Sequence, residues 1–322
     1  MKKKHGYLVI SLDFELLWGV FDVMSLEENR SYFDNTRKVI PELLKIFEDN
    51  KIHATWATVG MLFNENWHQW KINIPKNLPQ YENVKLSSFK FGEEHRNEDN
   101  SNLCFAPELI ELISQVPGQE IGTHTYSHYY CQEPGQNIMS FNADLLKSRE
   151  LAGKINISLK SLVFPRNQLQ KEYLLICAEN GIKNVRSNPG SWYWKNARSN
   201  AITTKLARTG DAYFPLGKKS YPIEVLKRIP GLPLEQPASR FLRPVESSKL
   251  LRSIKLRRIL KEMEFAAKNN EIYHLWWHPH NFGNMPQESL KDLQQIINSF
   301  SKLRKAYNFQ SANMFDIGEI VP

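Results

Sequence analysis

Residues 8–18 read Leu-Val-Ile-Ser-Leu-Asp-Phe-Glu-Leu-Leu-Trp. Side chains of a strand alternate between its faces, so Leu12, Phe14 and Leu16 share one side while Ser11, Asp13 and Glu15 share the other. Two neighbouring acids on a strand that is apolar at both ends repel and are poorly solvated unless a cation or an arginine lies between them. A solvent-facing edge strand with harmless acids fits the same pattern. Working outward, short apolar segments at 7–17, 53–60, 118–124, 161–165, 183–187, 221–226 and 272–278 predict strands. Apolar residues at helical spacing predict helices over 36–49, 107–116, 138–154, 170–180, 247–268 and 287–306. This alternation is the rhythm of a parallel sheet, with a barrel as its expected closure.

Two stretches break the rhythm. Residues 64–104 are polar and predict an insertion over one rim of the sheet, whereas 186–245 carries Pro189, Pro215, Pro222, Pro230, Pro233, Pro237 and Pro244 and predicts extended loops that shape a groove. No internal repeat is present. At 322 residues, 41% hydrophobic and 24% charged, residues 1–322 suit one large α/β domain. No apolar run approaches the ~20 residues of a membrane span. The start, MKKKHGYLVISLDFELLWG, is interrupted by Asp13 and Glu15 and has no small-residue cleavage site, so it predicts a core strand rather than a signal peptide. Cys104, Cys131 and Cys177 are odd in number and lack CxxC spacing, which argues against a disulfide framework and for a reducing cytoplasm. The net charge of +8 comes without a helix-turn-helix, zinc-finger or RNA-binding signature, so nucleic acid is not an expected partner.

Histidines supply the remaining chemistry. In EIGTHTYSHYY, His124 and His128 form an HxxxH pair after a strand and can converge on one ion if the backbone makes a helical turn. A pair hydrogen-bonded in a loop is the plainer alternative. In EIYHLWWHPHNFG, His278 and His280 flank Pro279 at a strand end, where barrel active sites sit, and imidazoles there can move protons near neutral pH. His274, inside that strand, is expected to be a satisfied core residue.

SLDFE, HATWATVG, GTHTYSH, LVFPRNQ and LWWHPH occur in the order of the motifs of polysaccharide deacetylases, carbohydrate esterase family four, which this chain resembles across most of its length. The resemblance implies a distorted (β/α)7 barrel and a metal-dependent hydrolase that removes an N-acetyl group from a sugar or oligosaccharide of a bacterial glycan or its precursor. It implies a divalent ion, with zinc expected, held by His124, His128 and a carboxylate. Many members place an aspartate directly after the base; here Phe14 stands there, so Glu15 would be the metal carboxylate and Asp13 the general base. Arg166 of the third motif would hold Asp13 ionised, with His278 the preferred general acid and His280 its substitute. A glycosidase using Asp13 and Glu15, and a catalytically inactive glycan-binding member, are the competing readings.

Trp18, Tyr126, Tyr129, Tyr130, Trp192 and Trp194 are candidates for stacking on sugars. Residues 247–270 carry six lysines or arginines between 249 and 261, with Leu250, Leu251, Ile254, Ile259 and Leu260 near helical spacing. Such a basic amphipathic helix is either an ordinary barrel helix or a peripheral contact with an anionic membrane bearing a lipid-linked substrate.

Overall fold

In the computed structural model, which describes residues 5–26, 29–199, 201–214 and 216–322, the opening apolar stretch forms β1 (Tyr7–Phe14) at the centre of a sheet. Its first half pairs in parallel with β10 (Gln310–Ala312), its second half with β2 (Ala54–Thr58), and its other edge with β9 (Glu271–Trp277). From β2 the parallel order continues through β3 (Gln119–Thr123), β4 (Ser161–Val163) and β5 (Asn184–Ser187). Beyond β5 comes β7 (Leu234–Pro237), and its continuation β8 (Arg240–Phe241) pairs with β9. One kinked stretch therefore joins the two edges of the sheet. The ring of β9, β1, β2, β3, β4, β5 and β7–β8 is the distorted (β/α)7 barrel.

The seventh ring member differs from expectation. The segment 221–226 supplies only β6 (Tyr221–Pro222), an antiparallel partner for Glu271 and Ile272 outside the ring. The closing strand lies instead within the proline-rich stretch expected to be loop. Pro237 can end it because a strand terminus needs no further ladder N–H, while Leu234 and Gln236 still alternate inward. Pro215, together with the lysines at 2–4, falls outside the described residues.

Helices cover the outer face. The first, α1 (Arg30–Asp49), buries Val39, Ile40, Leu43, Leu44 and Phe47 along one stripe, each such burial being worth roughly 1.5–3 kcal/mol. Residues 64–104 hold α2 (Trp67–Ile72), α3 (Ser88–His95) and α4 (Ser101–Cys104), clustered where Trp18 meets Trp67, Trp70 and Phe91. Then follow α5 (Pro107–Gln115), α6 (Ile138–Lys154), α7 (Leu174–Glu179) and α8 (Ile202–Gly210). The chain ends with α9 (Lys249–Asn269), α10 (Pro286–Tyr307) and α11 (Met314–Ile320). On β1 and β9 the outward residues, among them Leu12, Phe14, Leu275 and Trp277, join the large outer core. Trp277, fully buried between Phe47 and Phe282, should cost about 3–5 kcal/mol of stability when replaced by alanine, read as a shift in denaturant midpoint at unchanged slope.

Inside the barrel, Val9, Ala57, Val163 and Leu234 pack with Met314 and Ile317 of α11, which plugs the floor. Above this apolar floor the inward positions turn polar: Ser11 and Asp13 on β1, Arg186 on β5 and His274 on β9 are all buried. The chemistry thus collects at the carboxyl ends of the strands.

Candidate metal centre and its base

After Phe14 the chain leaves strand geometry. Glu15 has φ −125° and ψ −29°, and Leu16, at φ 46°, opens a short 3-10 turn through Gly19. The strand expected to run to 17 therefore stops at Phe14, yet Glu15 keeps its carboxylate inside the barrel, buried. Gly19 is required by this fold-back, since a Cβ there would fall on the Glu15 carboxylate. Gly19→Ala should displace that carboxylate and weaken metal uptake about 10–100-fold, the range seen when a ligand's support is lost. Titration of stripped protein with the ion checks this.

The HxxxH segment converges without a helical turn. Thr125 and His128 adopt left-handed conformations, φ 62° and 56°, and the Asp144 carboxylate from α6 accepts the backbone N–H groups of Tyr126 (2.6 Å) and Ser127 (3.3 Å) as well as the Ser127 hydroxyl. Burial raises the Asp144 carboxyl to about 6, opposed by these donors. His124 Nδ1 donates to the Val163 carbonyl at 2.8 Å, because a carbonyl can only accept. Its Nε2 lone pair then faces Glu15 Oε1 at 3.1 Å, and His128 Nε2 lies 3.4 Å from the same oxygen.

In that protonation state acceptors face acceptors, an arrangement that a divalent cation or a proton between them relieves. His124 Nε2 is buried without a hydrogen-bond partner, and ligand atoms of Glu15, His124 and His128 lie within 4.8 Å of one another. Two imidazole nitrogens and one carboxylate are the three-residue protein ligand set of a catalytic zinc-type site, and the Val163 carbonyl supplies the outer support that fixes the His124 tautomer. Burial lowers the His128 pKa, keeping the imidazole in its neutral, ligating form. Burial opposes ionisation of Glu15, but His278, together with His124 and His128 when their Nε2 atoms carry protons in place of an ion, outweighs it and holds the carboxyl well below the usual range.

Asp13 is held by an arginine that the motifs do not contain. Arg186 Nη1 and Nη2 donate to its two oxygens at 2.6 and 2.7 Å, a bidentate fork, and the guanidinium lies 4.3 Å from the centroid of the Trp276 ring. Burial alone would raise the Asp13 pKa; Arg186, with His124 and His278, brings it below the ordinary value. Arg186 also donates to Ser11 Oγ (3.0 Å) and to Asn167 Oδ1 (3.1 Å), while Ser11 Oγ meets His274 Nε2 at 2.9 Å. The pairing expected of Arg166 is therefore made by Arg186. Arg166 and Asn167 are both left-handed, φ 53° and 55°, and Arg166 donates to Asp22 Oδ2 at 2.5 Å and lies over the Tyr130 ring, while Asn167 reaches Arg186.

His278 continues the inward alternation of His274 and Trp276. Its Nε2 stands 3.7 Å from both Asp13 Oδ2 and Glu15 Oε1, and its side chain is 23% exposed. His280 stacks beneath it, ring centroids 4.9 Å apart, with Nδ1 3.9 Å from Glu15 Oε2, and burial drives its pKa down to about 3. Of the aromatic candidates, Trp18, Tyr126, Tyr129 and Tyr130 are fully buried, whereas Trp192 is exposed and Trp194 packs 6.4 Å from Trp276 at the mouth. Asp13, Glu15 and His278 also offer atoms within 4.8 Å of one another, and both Asp13 oxygens are engaged by Arg186.

Sequence reasoning missed Arg186, Asp144 and Trp276. An arginine at an inward position of the predicted strand 183–187 was the available signal for the first; nothing local marks Asp144, which acts on residues 17 and 18 positions before it. On α9, Arg252 grips Asp292, Lys255 donates to the carbonyls of Arg243 and Pro244, and Arg258 pairs with Glu262. Lys249, Arg257 and Lys261 of the same stripe are exposed.

A barrel closed by seven strands brings two histidines and a carboxylate together beside a second, arginine-bound carboxylate, a candidate metal site. The chain belongs to the polysaccharide deacetylase family, whose profile matches residues 21–185. That match begins beyond Asp13 and Glu15 and stops one residue short of Arg186. Among solved structures, a Mycobacterium smegmatis protein classed as a polysaccharide deacetylase aligns over 100% of this chain and 92% of its own, at TM-score 0.62 and 15% identity. A Pseudomonas aeruginosa PAO1 protein classed likewise aligns over 97% and 89% (TM-score 0.56, 9% identity). Puue allantoinase aligns over 99% and 91% (TM-score 0.56, 11% identity). At these identities the likeness is one of fold. No curated protein matches significantly. Family membership makes carbohydrate deacetylation the general activity, and among the described residues no helix is long and apolar enough to cross a membrane.

Proposed function

We propose that the protein is a metal-dependent N-deacetylase acting on an N-acetylated sugar of a bacterial glycan or glycan precursor. The observation that carries this is the buried, unpartnered Nε2 of His124 facing Glu15 beside His128. Two neutral imidazoles and one carboxylate favour zinc. A divalent ion held by Glu15, His124 and His128 would polarise the acetyl carbonyl and lower the pKa of the attacking water.

The chain's own groups then divide the proton transfers. Asp13, oriented by Arg186, takes the proton of the attacking water: a carboxylate has about four lone-pair sites, and the fork uses two. His278, at the mouth and within reach of both carboxylates, delivers a proton to the departing amine. The Asn281 side chain, 3.4 Å from His278 Nδ1, holds the ring with Nε2 toward the two carboxylates. His280, buried and neutral, serves better as a stacking support for His278 than as the acid. Three buried free thiols, Cys104, Cys131 and Cys177, favour a reducing compartment.

Metal content and acetate release test the reading together. His124→Ala and His128→Ala should each lose a divalent ion that the parent protein takes up at about one per chain, and should release no acetate from a panel of N-acetylated sugars and oligosaccharides. Unchanged metal content in both variants would overturn the assignment.

A further inference from the structure

The proline-rich stretch contains an apolar surface that the catalytic centre does not use. In α8, Ile202 and Leu206 sit one turn apart and are 76% and 65% exposed. Thr204 is the only residue that this helix buries. Trp192, ahead of α8, is 60% exposed, and Phe214 follows it at 65%. A surface helix that packs only on its own domain turns such a stripe inward, since burying it is where its stability comes from. Here the stripe faces out.

The charge around it has one sign. Between Arg186 and Ile223 the sequence holds Lys195, Arg198, Lys205, Arg208, Lys218 and Lys219 but a single acid, Asp211. Asp211 is buried against Lys219 (2.9 Å) and Arg240 (3.5 Å), so it presents no negative charge outward. The neighbouring acids are also engaged: Glu133 faces Arg198, and Glu246 accepts from the Tyr213 hydroxyl. Lys195 and Lys205 are exposed and make no ion pair among the described residues.

Contacts tie this surface to the mouth of the barrel. Arg208 lies over the Trp194 ring at 4.9 Å and donates to the Tyr193 carbonyl, Trp194 meets Trp276, and Trp276 lies 5.7 Å from His278. Arg243 donates to the Arg208 carbonyl, tying the segment ahead of α9 to α8.

We propose that α8 and its flanks form a docking surface for a bilayer with anionic headgroups. Ile202, Leu206 and Trp192 enter the headgroup–acyl boundary, while Lys195 and Lys205 meet lipid phosphates. A bilayer fits better than an acidic protein because the apolar and basic groups lie on one short helix and its flanks, the composition of an interfacial helix. On α9, by contrast, Arg252, Lys255 and Arg258 are tied up in internal contacts, so half of its basic stripe is already spent. Docking here turns the barrel mouth toward the membrane, so the sugar substrate of the proposed deacetylase would be one presented at a lipid surface. That consequence rests on the deacetylase reading, but vesicle binding is measured without turnover, so either can fail alone.

The test is sedimentation of the full chain with vesicles of phosphatidylcholine alone or with 30 mol% (about one lipid in three) phosphatidylglycerol. Binding should require the anionic lipid and fall with salt. Ile202→Ser with Leu206→Ser should weaken it at least about tenfold, and Lys195→Ala with Lys205→Ala roughly fivefold per lysine. Circular dichroism and metal uptake should stay at parental values, and the pair Lys302→Ala with Lys305→Ala, exposed near the end of α10, should leave binding unchanged. Parental protein that ignores anionic vesicles at low salt overturns the proposal. So does binding that survives the Ile202/Leu206 pair, or that soluble polyglutamate matches, since that would mark a surface for polyanions or acidic proteins.

Discussion

Asp13→Asn is expected to lower the rate of acetate release about 10²–10⁴-fold, the contribution of a positioned general base, while metal uptake stays near the parental level. The asparagine keeps the size and the hydrogen-bonding oxygen but cannot take a proton. Metal retention separates this outcome from collapse of the site, because Glu15, His124 and His128 converge on one another through atoms that Asp13 does not supply. Near-parental turnover in this variant would remove Asp13 from the role of base.

The second large effect is on stability. Arg186→Ala leaves the Asp13 carboxylate buried with its main cationic partner gone, and breaking a buried pair in this way costs about 3–5 kcal/mol. Arg186→Lys keeps the charge but not the fork, so it should recover part of the loss. Adding Asp13→Asn to Arg186→Ala should recover more, since no unpaired charge remains, whereas additive losses in the double variant would deny the coupling. The pH dependence carries a sign. In the parental protein Asp13 titrates below its unfolded value, so the pair's stabilisation is present above the unfolded carboxylate pKa and is lost as pH falls through the lower folded one. Without Arg186, burial becomes the dominant influence and raises the folded pKa, so metal-stripped Arg186→Ala should lose stability as pH rises through the carboxylate range. Denaturant titrations at several pH values distinguish the two slopes.

Strand periodicity made much of the barrel legible. The alternation in LVISLDFELLW separated the outer Leu12 and Phe14 from the inner Ser11 and Asp13, and the same period through His274 and Trp276 carries His278 to the inner face. The closing strand β7–β8 was not legible, because its apolar positions are few and its prolines imitate a loop. Within 64–104 the helices were hidden for a related reason: Trp67 and Trp70 stand among polar residues, and their burial depends on Trp18 from a distant turn.

By itself the sequence determined what local chemistry can determine: a strand with an inward acid and a second acid just past its end, an HxxxH pair beyond another strand, and histidines at the end of a third. These follow from side-chain type and a period of two residues, both written in the chain. Tertiary structure decided which of these groups meet. It placed Glu15 against His124 and His128 by folding the backbone back at Leu16 and Gly19, and it pinned the HxxxH turn with Asp144 from a later helix. It also chose Arg186 over Arg166 as the partner of Asp13. That choice depends on two consecutive left-handed residues and on where a barrel strand points across the lumen, and a one-dimensional pattern contains neither.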